Sequence, residues 1–280
     1  MTMIDIDGVG LDYRIEGSGP PLIWVSGTGM SGDCWHRYQV PHFRDRYTCI
    51  TYDLRGSGRS DCPESAYSAR VMADDLVGLM DALDIPSAHL AGFSLGAATI
   101  QELAINHPSR VRSAVLISTW SSTSLEHHIR LHFESRLLAL QRGPIDVFKK
   151  FAFWMWAPSM VDDDFERIAE LDAWFPTIAG ARDVVGYVGH FQADLAHETL
   201  DRLPQISCPT LVWSGAEDLV TRPPYNQRVA AAIPGAEIVE VPRGGHLAFL
   251  EHPEALNDAM DAFLGRVPAG ELYAVAGSAR

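Results

Sequence analysis

The run Ala88-His89-Leu90-Ala91-Gly92-Phe93-Ser94-Leu95-Gly96-Ala97-Ala98, continuing to His107-Pro108, decides the fold. Its first six residues read as a short buried strand, and residues 95–106 read as a helix that stops before Pro108. Between them lies Gly92-Phe93-Ser94-Leu95-Gly96, a G-x-S-x-G motif. The bare motif is only moderately specific. Its setting gives it weight, because a strand, a tight turn and a helix are what lift a serine side chain into an active site. The two glycines remove the Cβ atoms that would block such a turn. The turn also places the Leu95 N–H at the start of a helix, where it can bind a developing oxyanion with help from the helix dipole.

Outward from this turn the chain alternates. Residues 3–8 and 11–16 read as a hairpin around a glycine turn, and 21–26 and 47–52 as short apolar strands, the second ending at Asp53. Residues 66–83 have helical periodicity, with Val71, Leu76, Leu79, Met80 and Leu83 on one side. Further strands are expected at 111–118, 209–214 and Glu237–Val241, and helices at 223–232 and 249–264. Apolar strands alternating with helices imply an α/β protein with a parallel sheet covered on both faces. Residues 122–203 differ: they are helical in pattern, lack a convincing strand and are rich in aromatics, among them Phe133, Phe148, Phe151, Phe153, Trp154, Trp156, Trp174, Phe175, Tyr187 and Phe191. The expected organisation is a core of 1–121 and 204–267, a helical lid of 122–203 and a loose tail of 268–280.

A serine hydroxyl is a weak nucleophile and needs an adjacent base. Of eleven histidines, His246 in Arg243-Gly244-Gly245-His246 directly follows the strand at Glu237–Val241. It therefore sits at the carboxyl end of a parallel strand, where ligands bind in such sheets. His89 lies inside a strand, His107 and His252 sit beside prolines, and His127, His128 and His132 read as solvated faces at the entrance to the helical stretch. A carboxylate should orient the imidazole. Glu217 and Asp218, just past the strand at 209–214, both stand in the right place.

The formal net charge of −14 over 280 residues disfavours nucleic acid and anionic membranes as partners and fits a small-molecule substrate. Solubility is a sufficient reason for that charge by itself. The four cysteines, Cys34, Cys49, Cys62 and Cys208, form no CxxC pair and fit a reducing compartment. The first residues lack a basic start and an apolar core, and no stretch is long enough to span a bilayer. A cytoplasmic location is the expectation by default. No HExxH, P-loop or G-x-G-x-x-G motif is present, so neither a metal nor another cofactor is expected. A homodimer is compatible with this reading.

These motifs resemble those of the α/β-hydrolase superfamily, and the resemblance runs over residues 3–266. It includes Asp53-Leu54-Arg55-Gly56-Ser57-Gly58-Arg59-Ser60, similar to that superfamily's D-x-R-G-x-G-x-S loop. Within it the chain is most similar to the 3-oxoadipate enol-lactonase-like proteins and the carbon–carbon bond hydrolases. The resemblance implies a mostly parallel eight-stranded sheet with helices on both faces and an inserted helical lid. It favours Asp218 over Glu217, giving a triad in the order Ser94, Asp218, His246. It also implies that the Thr28 N–H joins that of Leu95 as an oxyanion donor. One departure is Ser26-Gly27-Thr28-Gly29, where many members have His-Gly; the enol-lactonase-like members often lack that histidine too. A serine in the turn sets the chain apart from the dehalogenase and epoxide hydrolase branches, which use aspartate.

The expected activity is hydrolysis of a carboxylic ester or lactone through an acyl-enzyme. Carbon–carbon cleavage, a cyclase or lyase step, and a non-catalytic sensor are the alternatives. Trp35, Trp154 and Trp156 are the candidate pocket residues, with packing the plainer role for Trp35. Arg130, Arg136, Arg142, Lys149, Lys150, Arg167 and Arg182 are scattered and read as solvated faces. An anionic substrate would need one of them turned inward, so a largely apolar substrate with little charge is expected.

Overall fold

The computed structural model describes residues 2–65, 67–142, 154–178 and 184–267. Eight strands form one sheet: β1 (Thr2–Ile6), β2 (Val9–Gly17), β3 (Pro21–Val25), β4 (Thr48–Tyr52), β5 (Ala88–Phe93), β6 (Val111–Ile117), β7 (Thr210–Gly215) and β8 (Glu237–Val241), in the order β1-β2-β4-β3-β5-β6-β7-β8. Only β2 runs against its neighbours; all other pairings are parallel. The β1–β2 hairpin closes at Asp7-Gly8, both at positive φ, as a two-residue turn between twisted strands requires. That turn ends the first strand at Ile6, two residues before its expected end.

The helices follow from local chemistry. Helix α1 (Gln39–Phe43) precedes β4, and α2 (Ala69–Ala82) begins where the Ser68 hydroxyl accepts the Val71 N–H at 3.1 Å. Helix α3 (Leu95–Asn106) leaves Ser94 directly. The expected last helix is two: α9 (Ala248–Glu251) and α10 (Pro253–Leu264), following α8 (Pro223–Ala232). Pro253 disfavours helical backbone at His252, which sits at φ −130°, so the chain turns there.

Side-chain alternation along the strands divides the interior in two. Ile23, Val25, Ile50, Leu90, Leu116 and Val212 face the side of α2, α3 and α8. Leu22, Trp24, Ala91, Phe93, Val115 and Trp213 face the side of α1 and α10. Strands β3, β4 and β5 are buried along their whole length, as strands covered on both faces must be. The edge strand β8 instead exposes Glu237 to Glu240, and its charges discourage edge pairing. All four cysteines are free thiols.

Between β6 and β7 the described residues hold four helices: α4 (His127–Arg142), α5 (Pro158–Asp163), α6 (Phe165–Ile178) and α7 (Val184–Leu195). The two ends of this stretch are tied by a single bridge, Ser122 to Glu198, and by the Thr199 N–H donating to Ser121 O at 2.7 Å. Among the described residues no helix is long and apolar enough to cross a membrane. The expectations placed on Phe148, Phe151, Phe153, Lys149, Lys150, Arg182 and the tail at 268–280 lie outside the described residues.

Candidate active site

The sheet order reverses direction at β3 and β5: β3 connects to β4 on one side, while β5 lies on the other. The loops after these two strands therefore diverge and leave a crevice at their carboxyl ends, where ligands sit in such sheets. Ser94 caps β5 in that crevice with φ 53° and ψ −115°, a conformation disfavoured for any residue with a Cβ. The flanking glycines make it attainable. A Cβ on Gly92 would lie 2.6 Å from the Gly96 carbonyl carbon, and one on Gly96 would collide with the Val25 carbonyl oxygen. The strand, turn and helix thus pack backbone to backbone.

His246 reaches the serine from the loop after β8, its Nε2 3.2 Å from Ser94 Oγ. Its Nδ1 lies 2.9 Å from Asp218 Oδ2. An ionised carboxylate can only accept, so Nδ1 carries the proton and Nε2 is left to accept from the serine. Asp218 is buried. Burial works against its charge, but His246, the Thr221 hydroxyl and the Val220 N–H outweigh that and hold the carboxyl below the usual range. The Val220 and Thr221 N–H groups donate to Oδ1 at 2.7 and 2.9 Å, and the Thr221 hydroxyl to Oδ2 at 2.7 Å. Glu217 points elsewhere: its carboxylate accepts from the Ser159 N–H at 2.9 Å and hydroxyl at 2.6 Å, at the start of α5. The loop carrying His246 is fixed by Glu251, which accepts the N–H groups of Gly245 and Ala157, each at 2.6 Å.

Across from Ser94 the turn after β3 presents the Thr28 N–H. Among the described residues neither this amide nor that of Leu95 has a hydrogen-bond partner. The turn is held from α7. Gly29 N–H donates to His190 Nδ1 at 3.0 Å, and His190 Nε2–H donates to Arg55 O at 2.7 Å. Burial lowers the His190 pKa to about 4, which keeps it in the neutral form this arrangement needs. One helical turn on, Asp194 Oδ2 accepts the Thr28 hydroxyl at 2.7 Å. Burial pushes the Asp194 carboxyl up to about 8, against the pull of Thr28 and Arg136. Tyr187 packs so closely that a Cβ on Gly29 would strike its ring.

Ser94, His246 and Thr28 border a cavity of about 120 Å³. Phe133, Phe175 and Phe191 give it apolar walls, and His132 and Arg136 enter it from α4. A second cavity of about 330 Å³ lies outside it, lined by His128, Leu131, Trp154 and Leu219 and again by His132 and Arg136.

The candidate pocket residues separate. Trp35 does not line either cavity; it is fully buried, 5.1 Å from the Trp24 ring and 4.9 Å from Phe249. Trp156 is also a core residue, its indole N–H donating to Asp172 Oδ1 at 3.2 Å. Trp154 is half exposed and borders the outer cavity. The solvated-face reading of His132 and Arg136 is corrected: both are half-buried and line both cavities. The signal for them was their four-residue spacing beside the buried Ile129, Phe133 and Leu140. His190 and Asp194, dismissed or unremarked in the sequence, owe their place to contacts more than 160 residues apart.

A family model described as the alpha/beta hydrolase fold matches residues 20–253. A Mycobacterium tuberculosis protein with the provisional name non-heme bromoperoxidase BpoC is 33% identical over 271 residues, covering 93% of this chain and all of that one. A Caulobacter vibrioides protein with the provisional name carbamate hydrolase RutD is 31% identical over 272 residues, covering 94% of this chain and 98% of its own length. Among solved structures, the enol-lactonase from Burkholderia xenovorans LB400 superposes with a TM-score of 0.85 at 26% identity, over 95% of this chain and 100% of that one. Three different activities are named on one architecture, so the substrate has to be argued from the site.

Proposed function

The chain belongs to the α/β-hydrolase fold family and is a hydrolase, and from that premise we propose that it cleaves a carboxylic ester or lactone of a small, largely apolar metabolite through an acyl-enzyme on Ser94. The observation that carries this reading is the continuous line from Ser94 Oγ through His246 to Asp218, at 3.2 and 2.9 Å, beneath a cavity faced by two unengaged amides. His246 Nε2 takes the serine proton as Oγ attacks the carbonyl carbon. The Thr28 and Leu95 N–H groups receive the negative charge that forms on the carbonyl oxygen. The imidazolium, steadied by Asp218, returns its proton to the departing alkoxide, which in a lactone stays attached to the acyl group. Water, deprotonated by His246, then attacks the acyl-enzyme and frees the acid and Ser94. The helices of residues 122–203 act as a lid that selects the substrate. The apolar walls supplied by Phe133, Phe175 and Phe191 fit a largely apolar acyl or ring group.

The reading is tested with a panel of aryl esters, lactones and a vinylogous diketone, assayed on wild type and Ser94→Ala. Ester or lactone turnover should fall by about 10⁴-fold or more in the variant, with the protein still folded. Cleavage of the diketone with esters and lactones untouched would move the chain to carbon–carbon hydrolysis. Full ester turnover in Ser94→Ala would remove the nucleophile.

A further inference from the structure

Helix α4 carries His128, His132 and Arg136 at four-residue intervals, which stacks them on one face. His128 borders the outer cavity, while His132 and Arg136 border both. The two side chains therefore form the wall between the mouth of the site and the chamber that holds Ser94. Arg136 is the one Lys or Arg among the described residues lining the inner chamber. The charged groups around it are few. Asp172 lines the chamber from an exposed position on α6, Asp194 is engaged by the Thr28 hydroxyl, and Asp218 spends both oxygens on His246 and the loop after β7. Tyr187 and Phe191 of α7 stand across the chamber, with the Phe191 ring centroid 5.9 Å from the Arg136 guanidinium carbon.

A guanidinium between aromatic walls is a costly thing to keep in an otherwise apolar chamber. It is also the group whose planar fork matches a carboxylate with two parallel hydrogen bonds. We propose that Arg136 is a substrate-recognition residue of this active site, and that the preferred ester or lactone carries a free carboxylate besides its scissile carbonyl. The proposal rests on the ester or lactone reading above and replaces its expectation of a substrate with little charge. A chain with a net charge of −14 repels anions at long range, so an anionic substrate needs a local cation at the threshold. Arg136 stands at that threshold. A carboxylate suits it better than a phosphate dianion, because one guanidinium in a chamber of about 120 Å³ balances one charge.

The experiment uses two pairs of substrates with matched reactivity: mono-p-nitrophenyl glutarate against p-nitrophenyl butyrate, for a carboxylate on the acyl side, and carboxymethyl butyrate against ethyl butyrate, for one on the alcohol side. The wild type should prefer the charged member of at least one pair by about 10- to 100-fold in kcat/KM. Arg136→Gln should erase that preference mainly through KM, and Arg136→Lys should retain part of it. Glutarate binding, followed by calorimetry on the wild type and Arg136→Gln, reads the same site without turnover. A wild type that favours the neutral member of both pairs, or binds no glutarate, overturns the proposal even if Arg136→Gln does not fold. An unchanged preference in a folded Arg136→Gln overturns it as well. Loss of all ester turnover in the wild type would instead strike the hydrolase reading, and glutarate binding would still decide the role of Arg136.

Discussion

Two regions meet at Ser94, and they are held by different physics. The turn between β5 and α3 is a backbone construction. Gly92 and Gly96 let main-chain atoms touch where a Cβ would intrude, and the serine is fixed before any side chain contributes. The wall opposite is a side-chain construction: His190, Asp194 and Tyr187 of α7 press on the oxyanion turn, and His132 and Arg136 of α4 divide the two cavities. The first region tolerates few substitutions because the chain path itself is at stake. The second can be rewritten residue by residue without moving the sheet. Relatives that share this architecture under three different activity names fit that division.

Glu217 and Asp218 offer the sharpest test of the contrast, because neighbours in sequence serve opposite sides of it. Asp218→Asn should lower kcat by about 10⁴-fold with the fold intact, since the amide cannot accept the His246 Nδ1–H and favours the wrong tautomer. Glu217→Gln loosens only the hold on Ser159 at the start of α5, so kcat toward a small aryl ester should stay within about threefold of wild type. Equal losses in the two variants would mean that α5 docking and the catalytic line are one unit.

Two tryptophans that look alike in sequence extend the test to packing. Trp35→Ala opens a hole between Trp24 and Phe249 and should cost about 3–5 kcal/mol of stability in denaturant titration. Trp154→Ala, half exposed at the outer cavity, should leave stability within about 0.5 kcal/mol and change KM for bulky esters more than for p-nitrophenyl acetate. A stability loss at Trp154 as large as that at Trp35 would make the helical wall as rigid as the sheet.

The smallest expected effect is a pH dependence of stability. Burial lowers His89, His190 and His197 to about 4 and His132 to about 3. The unfolded chain takes up protons on these histidines near pH 6.5 that the folded chain refuses, so stability falls as pH drops from 6.5 toward 4. Burial has the opposite consequence for carboxyls, raising Asp194 to about 8 and Glu126 and Glu251 to about 7. Their folded forms keep protons that the unfolded chain loses near pH 4, so their contribution is present in acid and lost as pH rises through 7 to 8. Between pH 4 and 6.5 the two sets oppose each other; above 6.5 only the carboxyls act. Thermal melts should show Tm declining from pH 6.5 to 8, and Asp194→Asn should flatten the last part of that decline. A Tm unchanged over that window would mean that Asp194 is ionised throughout.

The sheet and the catalytic line were legible in the sequence because both are written in local patterns. Continuous apolar runs mark doubly covered strands, and the glycines around Ser94 and before His246 mark backbone crowding that no other residue permits. The helical wall was less legible. An aromatic residue announces burial but not direction, so Trp35 and Trp156 passed for pocket residues when they face the core. A histidine and an arginine on an amphipathic helix default to solvent, and only a second covered face, which comes from α6 and α7, brings His132 and Arg136 inside. His190 and Asp194 carry no motif, because what they hold lies at the other end of the chain.

The clamp from α7 on the oxyanion turn bears on how such a protein can be rebuilt. Residues 122–203 enter and leave the sheet through one narrow neck, which makes them look like a cassette that could be exchanged for another relative's. The Gly29 amide and the Thr28 hydroxyl, however, are held by His190 and Asp194 from inside that cassette. A transplanted segment without acceptors at those two places would bring a new chamber and leave the turn beneath it slack, so a working chimera has to carry the clamp along with the walls.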